Sequence, residues 1–229
     1  ITEGLSAKAF AVKGISAIEH GTDWFGILPV RGKVLNVRGA DTSQINLNKE
    51  LNQLKKMLGL KQGVDYLNND EFEKLRYGKV RILTDADPDG DHIKGLLINY
   101  FEYFFPSLIK RNYINSLRTP IIKTKLGNKI NTFYYLKNFK EWSEKQSSKF
   151  SVKYYKGLGT SEDSDILEIF QKPKNVQYIN DDKTSETISM VFDKKRANDR
   201  KKWLENFESK EFIYSEKNNE EIVPISDFF

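Results

Sequence analysis

The sequence predicts an α/β fold: a parallel sheet flanked by helices, with a small α+β insert and a helical C-terminal extension. Three observations carry this. Val80-Arg81-Ile82-Leu83-Thr84 is a short β-branched and apolar run, hence a strand. The acidic turn Asp85-Ala86-Asp87-Pro88-Asp89-Gly90 follows it directly. Ile93 to Phe105 is then apolar enough for a buried helix, stopped at Pro106. Strand, turn and helix in that order make half of a βαβ unit, and in open α/β sheets chemistry sits at the carboxyl ends of the strands. Composition agrees: of 229 residues, 38% are hydrophobic and 13% aromatic, enough to bury a core.

The remaining elements follow in chain order. Ile1-Thr2 reads as a short strand ended by Glu3, with Gly4 allowing a sharp backbone turn. Ala7 to Val12 reads as a helix with Ser6 as its N-cap. Gly26 to Val30 looks like a strand running into the loop Arg31-Gly32-Lys33. Leu47, Leu51, Leu54 and Leu58 are spaced for a helix over Leu47 to Leu60, and Tyr66 to Leu75 is a second helical stretch. Pro120-Ile121-Ile122 is a strand, and Phe133-Tyr134-Tyr135 with Phe139 to Trp142 form a small strand-and-helix insert. Phe150 to Tyr155 alternates like a strand, and a helix follows near Asp165 to Phe170. Lys172 to Lys183 is polar and loop-like. Asp193 to Phe207 is a charged helix carrying Trp203, and Ile222 to Phe229 is apolar. Tyr113, Trp142 and the Tyr154-Tyr155 pair read as core. The expected division is residues 1–183 as the main domain, with the insert at about 124–150, and 184–229 as the extension.

Several function classes are excluded. There is no cysteine, so disulfides, thiolate metal sites and cysteine nucleophiles are absent. No window approaches the roughly 20 apolar residues of a membrane helix. The start is not a signal peptide, and the chain reads as a piece of a longer, intracellular protein. The formal net charge of +5 permits a polyanionic partner.

Asp85, Asp87 and Asp89 carry the chemistry. Like charges this close repel and raise one another's pKa, and a divalent cation relieves the repulsion. Hard oxygen ligands suit Mg²⁺, Mn²⁺ or Ca²⁺. The bland alternative is a solvated acidic turn. An EF-hand is rejected, because its twelfth loop position would be Leu96 rather than Glu and a strand precedes the loop. If Ile1-Thr2 lies beside Val80–Thr84, Glu3 faces the aspartates.

Glu3-Gly4-x-Ser6-Ala7 followed by Asp85-x-Asp87-x-Asp89-Gly90 resembles the TOPRIM module, a Rossmann-like fold of topoisomerases, primases and some nucleases. Further segments narrow the resemblance to type IIA DNA topoisomerases. They are Leu28-Pro29-Val30-Arg31-Gly32-Lys33-Val34-Leu35-Asn36-Val37, Asp89-Gly90-x-His92-Ile93-Lys94-Gly95-Leu96, Thr119-Pro120-Ile121-Ile122-Lys123, Tyr154-Tyr155-Lys156-Gly157-Leu158-Gly159-Thr160 and Pro224-Ile225-Ser226-Asp227-Phe228. The segment at Tyr154 is closer to the eukaryotic and viral form than to gyrase. Two positions depart: Leu5 stands where cellular members carry Asp, and Asp91 where a small polar residue is usual. Leu5 hints at a divergent, viral or phage, member.

The resemblance implies Mg²⁺-assisted cleavage and religation of double-stranded DNA by an ATP-hydrolysing enzyme. Glu3, Asp85 and Asp87 would be catalytic. Glu3, Asp85, Asp87 and Asp89 would hold metal, with Glu3 alternatively the general acid and base for the leaving oxygen. Arg31, Lys33, His92, Lys94, Lys156 and Gly157 would meet DNA. The attacking tyrosine belongs to a winged-helix domain, and none of the 11 tyrosines here sits in a matching motif. No G-x-x-x-x-G-K-[ST] is present, and the resemblance implies a separate ATPase domain in the parent. Without the tyrosine the chain is expected not to cleave. The parent would be a homodimer, nuclear if eukaryotic and at the host-cell replication site if viral. The competing readings are a primase or metal-dependent nuclease and a non-catalytic DNA-binding domain.

Overall fold

The computed structural model describes residues 1–206, 216–217 and 220–229. Its first strand, β1 (Thr2–Glu3), runs straight into α1 (Gly4–Ser16). Ser6 lies inside this helix and does not cap it. A left-handed φ of +69° at Gly4 starts the helix earlier, with Glu3 in the cap position and no side-chain cap bond. A short α2 (Gly21–Trp24) leads to β2 (Pro29–Val30), shorter than the expected strand. The expected helix over 47–60 is divided. Asn48 ends α3 (Thr42–Leu47) and caps α4 (Lys49–Leu58) by accepting the Leu51 N–H at 2.9 Å. Leu47 is therefore exposed, while Leu51, Leu54 and Leu58 are buried. The second helical stretch shrinks to α5 (Asn69–Glu73).

The strand β3 (Val80–Ile82) leads to α6 (Pro88–Phe104). This helix starts five residues before the expected Ile93, because Pro88 suits the first helical position and Asp87 caps it. Ile93, Leu96, Leu97, Ile98 and Phe101 are buried on it. Each contributes about 1.5–3 kcal/mol of apolar burial. Pro106 does not only stop α6; it opens α7 (Pro106–Lys110).

Next come β4 (Ile114–Arg118), β5 (Ile122–Leu126), β6 (Lys129–Phe133), α8 (Leu136–Ser143) and β7 (Ser151–Tyr154). A 3₁₀ turn at Leu158–Thr160 precedes α9 (Asp163–Gln171). Residues 172–183, expected as loop, contain the buried strand β8 (Lys174–Ile179). Its polar Gln177 hid the pattern. That side chain donates to the Ile114 carbonyl at 2.8 Å and accepts from Lys79 at 2.9 Å, while Val176 and Tyr178 are buried beside it. The helix α10 (Thr184–Phe192) was also unforeseen. The charged helix is a 3₁₀ turn at Lys194–Arg196 followed by α11 (Ala197–Glu205); Phe207 lies outside the described residues. Then come β9 (Glu216–Lys217), β10 (Glu220–Pro224) and α12 (Ile225–Phe228).

One five-stranded sheet runs β3-β4-β8-β10-β9, and β1 and β2 form a parallel pair. A bridge at Thr2 and Leu83 joins the two: Glu3 N–H donates to the Leu83 carbonyl at 3.0 Å, and Leu83 N–H to the Ile1 carbonyl at 2.8 Å. The strand at Ile1-Thr2 therefore does lie beside Val80–Thr84. Strands β2, β1, β3 and β4 are all parallel, so their carboxyl ends share one edge. The insert is an antiparallel sheet of order β6-β5-β7, on which Trp142 packs against Phe133 and Phe150. Tyr113 is core as expected. Tyr154 is not: it is 58% exposed on β7.

Candidate functional site

Glu3 ends β1 and Asp85 follows β3 by three residues, so both reach the shared carboxyl edge of the parallel strands. The Asp85 N–H donates to Glu3 Oε2 at 3.3 Å. The Asp85 side chain is held from a third direction, where the Leu158 N–H donates to its Oδ1 at 2.8 Å. Gly157, just before, is extended (φ −173°), and a Cβ there would lie 2.5 Å from Asp85 Oδ2. Glycine is required at 157 for closeness, not for backbone conformation.

The other two aspartates are engaged differently. Asp87 Oδ1 accepts the Gly90 N–H at 2.8 Å as the cap of α6. Asp89 is exposed in the first turn of α6 and pairs with Lys33 Nζ at 2.9 Å. Burial pushes the Glu3 carboxyl above its ordinary range. The charges of Asp85, Asp87 and Asp89 push the same way, and the Asp85 N–H partly opposes them. Lys33 holds the Asp89 carboxyl below its ordinary range.

Whether a divalent cation fits is answered by the donor set. Among the described residues, no three His, Asp or Glu side chains close around one point as a cage. Mg²⁺ does not need such a cage: it keeps several waters and takes one or two carboxylates. Glu3 and Asp85 supply two hard oxygen donors whose mutual repulsion a cation would relieve, so the pair fits. Asp87 keeps its second oxygen free of the cap bond.

The basic residues fall on the surrounding loops and the start of α6. Arg31, Lys33, His92 and Lys156 are exposed. The Arg31 backbone N–H donates to Glu50 at 2.8 Å, which anchors the loop that carries it. Lys94 is largely covered and pairs with Asp91 at 2.8 Å along the helix. Leu5 is 77% exposed on the first turn of α1.

Sequence reading missed what holds the Lys156-Gly157-Leu158 loop. Asp165 on α9 is buried and accepts from Lys123 (2.8 Å), Lys153 (2.9 Å) and the Tyr155 hydroxyl (2.9 Å). The signal available was the alternation along β7, which puts Lys153 and Tyr155 on one side of the chain.

Comparison with known proteins bears on this geometry. A model of the Toprim domain matches residues 1–117, and one of the C-terminal associated domain of TOPRIM matches residues 117–229. DNA topoisomerase 2-alpha of Homo sapiens is 43% identical over 212 residues, covering 90% of this chain and 14% of that protein. DNA topoisomerase 2 of Drosophila melanogaster is 42% identical over 211 residues, covering 90% of this chain and 14% of that protein. The Plasmodium falciparum topoisomerase II DNA-binding, cleavage and re-ligation domain superposes with a TM-score of 0.87 at 36% identity, over 99% of this chain and 31% of that one. The chain thus spans 14% of the length of these curated relatives.

Proposed function

The chain belongs to the Toprim family, in the form found in type II DNA topoisomerases, and from that premise we propose that it is the cation-binding half of a DNA cleavage and religation site. The observation that carries this is the meeting of Glu3 and Asp85, 82 residues apart in sequence, through the Asp85 N–H bond. Glu3 and Asp85 would hold a Mg²⁺ ion, with Asp87 and Asp89 assisting directly or through water. Bound there, the ion supplies a positive charge that stabilises the 3′ oxygen leaving the scissile phosphate.

The chain's own residues do the rest. Asp85 is fixed by the Leu158 N–H, so its carboxylate needs little reorganisation. In the alternative role, with the ion held by the aspartates, Glu3, whose burial raises its affinity for a proton, would exchange a proton with the leaving oxygen. Arg31, Lys33, His92 and Lys156 offset the repulsion between the carboxylates and the DNA phosphates. Lys33 gives up Asp89 as a phosphate arrives. The attacking tyrosine comes from a winged-helix domain and the ATP-hydrolysing module from another, both of the parent homodimer, so these 229 residues do not cleave DNA alone.

The test is binding of a short nicked duplex, read by fluorescence anisotropy across a salt series. Mg²⁺ should tighten binding, and Lys33→Gln and Lys156→Gln should each flatten the salt dependence by about one unit of slope. Binding indifferent to Mg²⁺ and to both substitutions would leave a different role for the site.

A further inference from the structure

Asp165 sits in the first turn of α9, 7% exposed, away from the acidic turn. Its Oδ1 accepts from Lys123 on β5, and its Oδ2 from Lys153 on β7 and from the Tyr155 hydroxyl. Lys123 and Lys153 stand directly opposite each other in the β5–β7 ladder, so both reach one carboxylate from the same face of the insert sheet. The Glu162 N–H also turns toward Oδ2, at 3.4 Å, as part of the capping box of α9.

These partners bracket one segment. Tyr155 opens it and Glu162 closes it. Between them Gly157 lies against the Asp85 carboxylate and Leu158 donates to it. The Tyr155 N–H is fixed as well, on the Ile121 carbonyl at 3.0 Å. A loop tied at both ends to one buried acceptor loses most of its freedom before it reaches Asp85.

We propose that Asp165 is a positioning residue for Asp85: it clasps both ends of the 155–162 loop and so sets where the Leu158 N–H meets the Asp85 carboxylate. The insert sheet, through Lys123 and Lys153, is the wall on which the clasp is built. The consequence for cation binding rests on the function proposed above; the clasp itself does not.

The experiment is residue-resolved amide hydrogen exchange on the 229-residue chain, with Mn²⁺ titration by calorimetry alongside. Asp165→Asn should speed exchange of the Leu158 amide by about tenfold or more while the Leu97 and Phe101 amides of α6 keep their protection. Asp165→Glu should recover part of the protection. Glu168→Ala, which removes only the other acceptor of Lys123, should leave Leu158 unchanged. Mn²⁺ binding should weaken in Asp165→Asn and recover with Asp165→Glu. An unchanged Leu158 rate in folded Asp165→Asn overturns the proposal. If that variant does not fold, Tyr155→Phe is read in its place, and an unchanged rate there overturns it equally. Exchange needs no cation, so a wild-type chain that binds no Mn²⁺ would count against the proposed function while the Leu158 rate still decides the clasp.

Discussion

Replacing Gly157 by alanine isolates the contact between the glycine loop and Asp85. The added Cβ would sit 2.5 Å from Asp85 Oδ2, 2.8 Å from its Cγ and 3.0 Å from Oδ1. That is about 1 Å inside ordinary contact. The backbone at 157 is extended, so alanine adds no conformational strain and the effect is steric alone. Either the loop or the carboxylate must retreat by about 1 Å, which stretches the 2.8 Å Leu158 bond past useful geometry. A hydrogen bond to a charged group contributes about 1.5–3 kcal/mol, so Gly157→Ala should cost about 2 kcal/mol. At roughly 2–4 °C per kcal/mol for a chain of this size, Tm should fall by about 4–8 °C in differential scanning calorimetry. Mn²⁺ affinity, measured by titration on the same samples, should fall by about tenfold, the equivalent of about 1.4 kcal/mol. A variant that melts with wild type and binds Mn²⁺ equally well would refute the reasoning, because the contact would then exert no force on Asp85.

Two further outcomes follow from the ion pairs. Burial alone would raise the Asp165 carboxyl, yet the bonds from Lys123, Lys153 and Tyr155 outweigh it and hold the group at about 2 against an ordinary 3.8. A depressed carboxyl stabilises the fold above its unfolded pKa and loses that contribution as pH falls through the folded one. About 2 kcal/mol should therefore vanish between pH ~4 and ~2, and urea melts of Asp165→Asn should lack that part of the pH dependence. Glu221 is buried and binds Arg118 in two bonds of 2.9 and 3.1 Å while accepting the Tyr135 hydroxyl at 2.7 Å. Glu221→Ala strands the guanidinium and should cost about 3–5 kcal/mol, read as a shift of the urea midpoint; a loss below about 1 kcal/mol would mean that Arg118 finds solvent instead.

Three alternate aspartates after an apolar strand stood out in sequence because like charges this close repel, whereas Glu3 was singled out by its place in the resemblance. The structure places Glu3 beside Asp85 through the pairing of Ile1-Thr2 with Val80–Thr84 on which that reading depended. What escaped was polarity satisfied at long range. Gln177 lay in a stretch read as loop, and Asn115 and Ser116 in one given no element, yet all three are buried in strands, where Ser116 meets Tyr178 and Asn115 accepts from Arg81. Asp165 escaped for the same reason, since its partners come from two other strands and a loop. Lys33 was read as a DNA contact alone, and nothing in its own segment announces the pair with Asp89.

The central claim is that Glu3 and Asp85 together bind a divalent cation, and calorimetric titration of Mg²⁺ and Mn²⁺ tests it most directly. Wild type, Glu3→Gln, Asp85→Asn and Asp87→Asn should be compared, each confirmed folded by circular dichroism and each repeated with a short nicked duplex. Binding that is lost in Glu3→Gln and Asp85→Asn and only weakened in Asp87→Asn is the predicted result. Wild type and all three variants behaving alike, with and without the duplex, would contradict it and leave the acidic turn a solvated cap on α6.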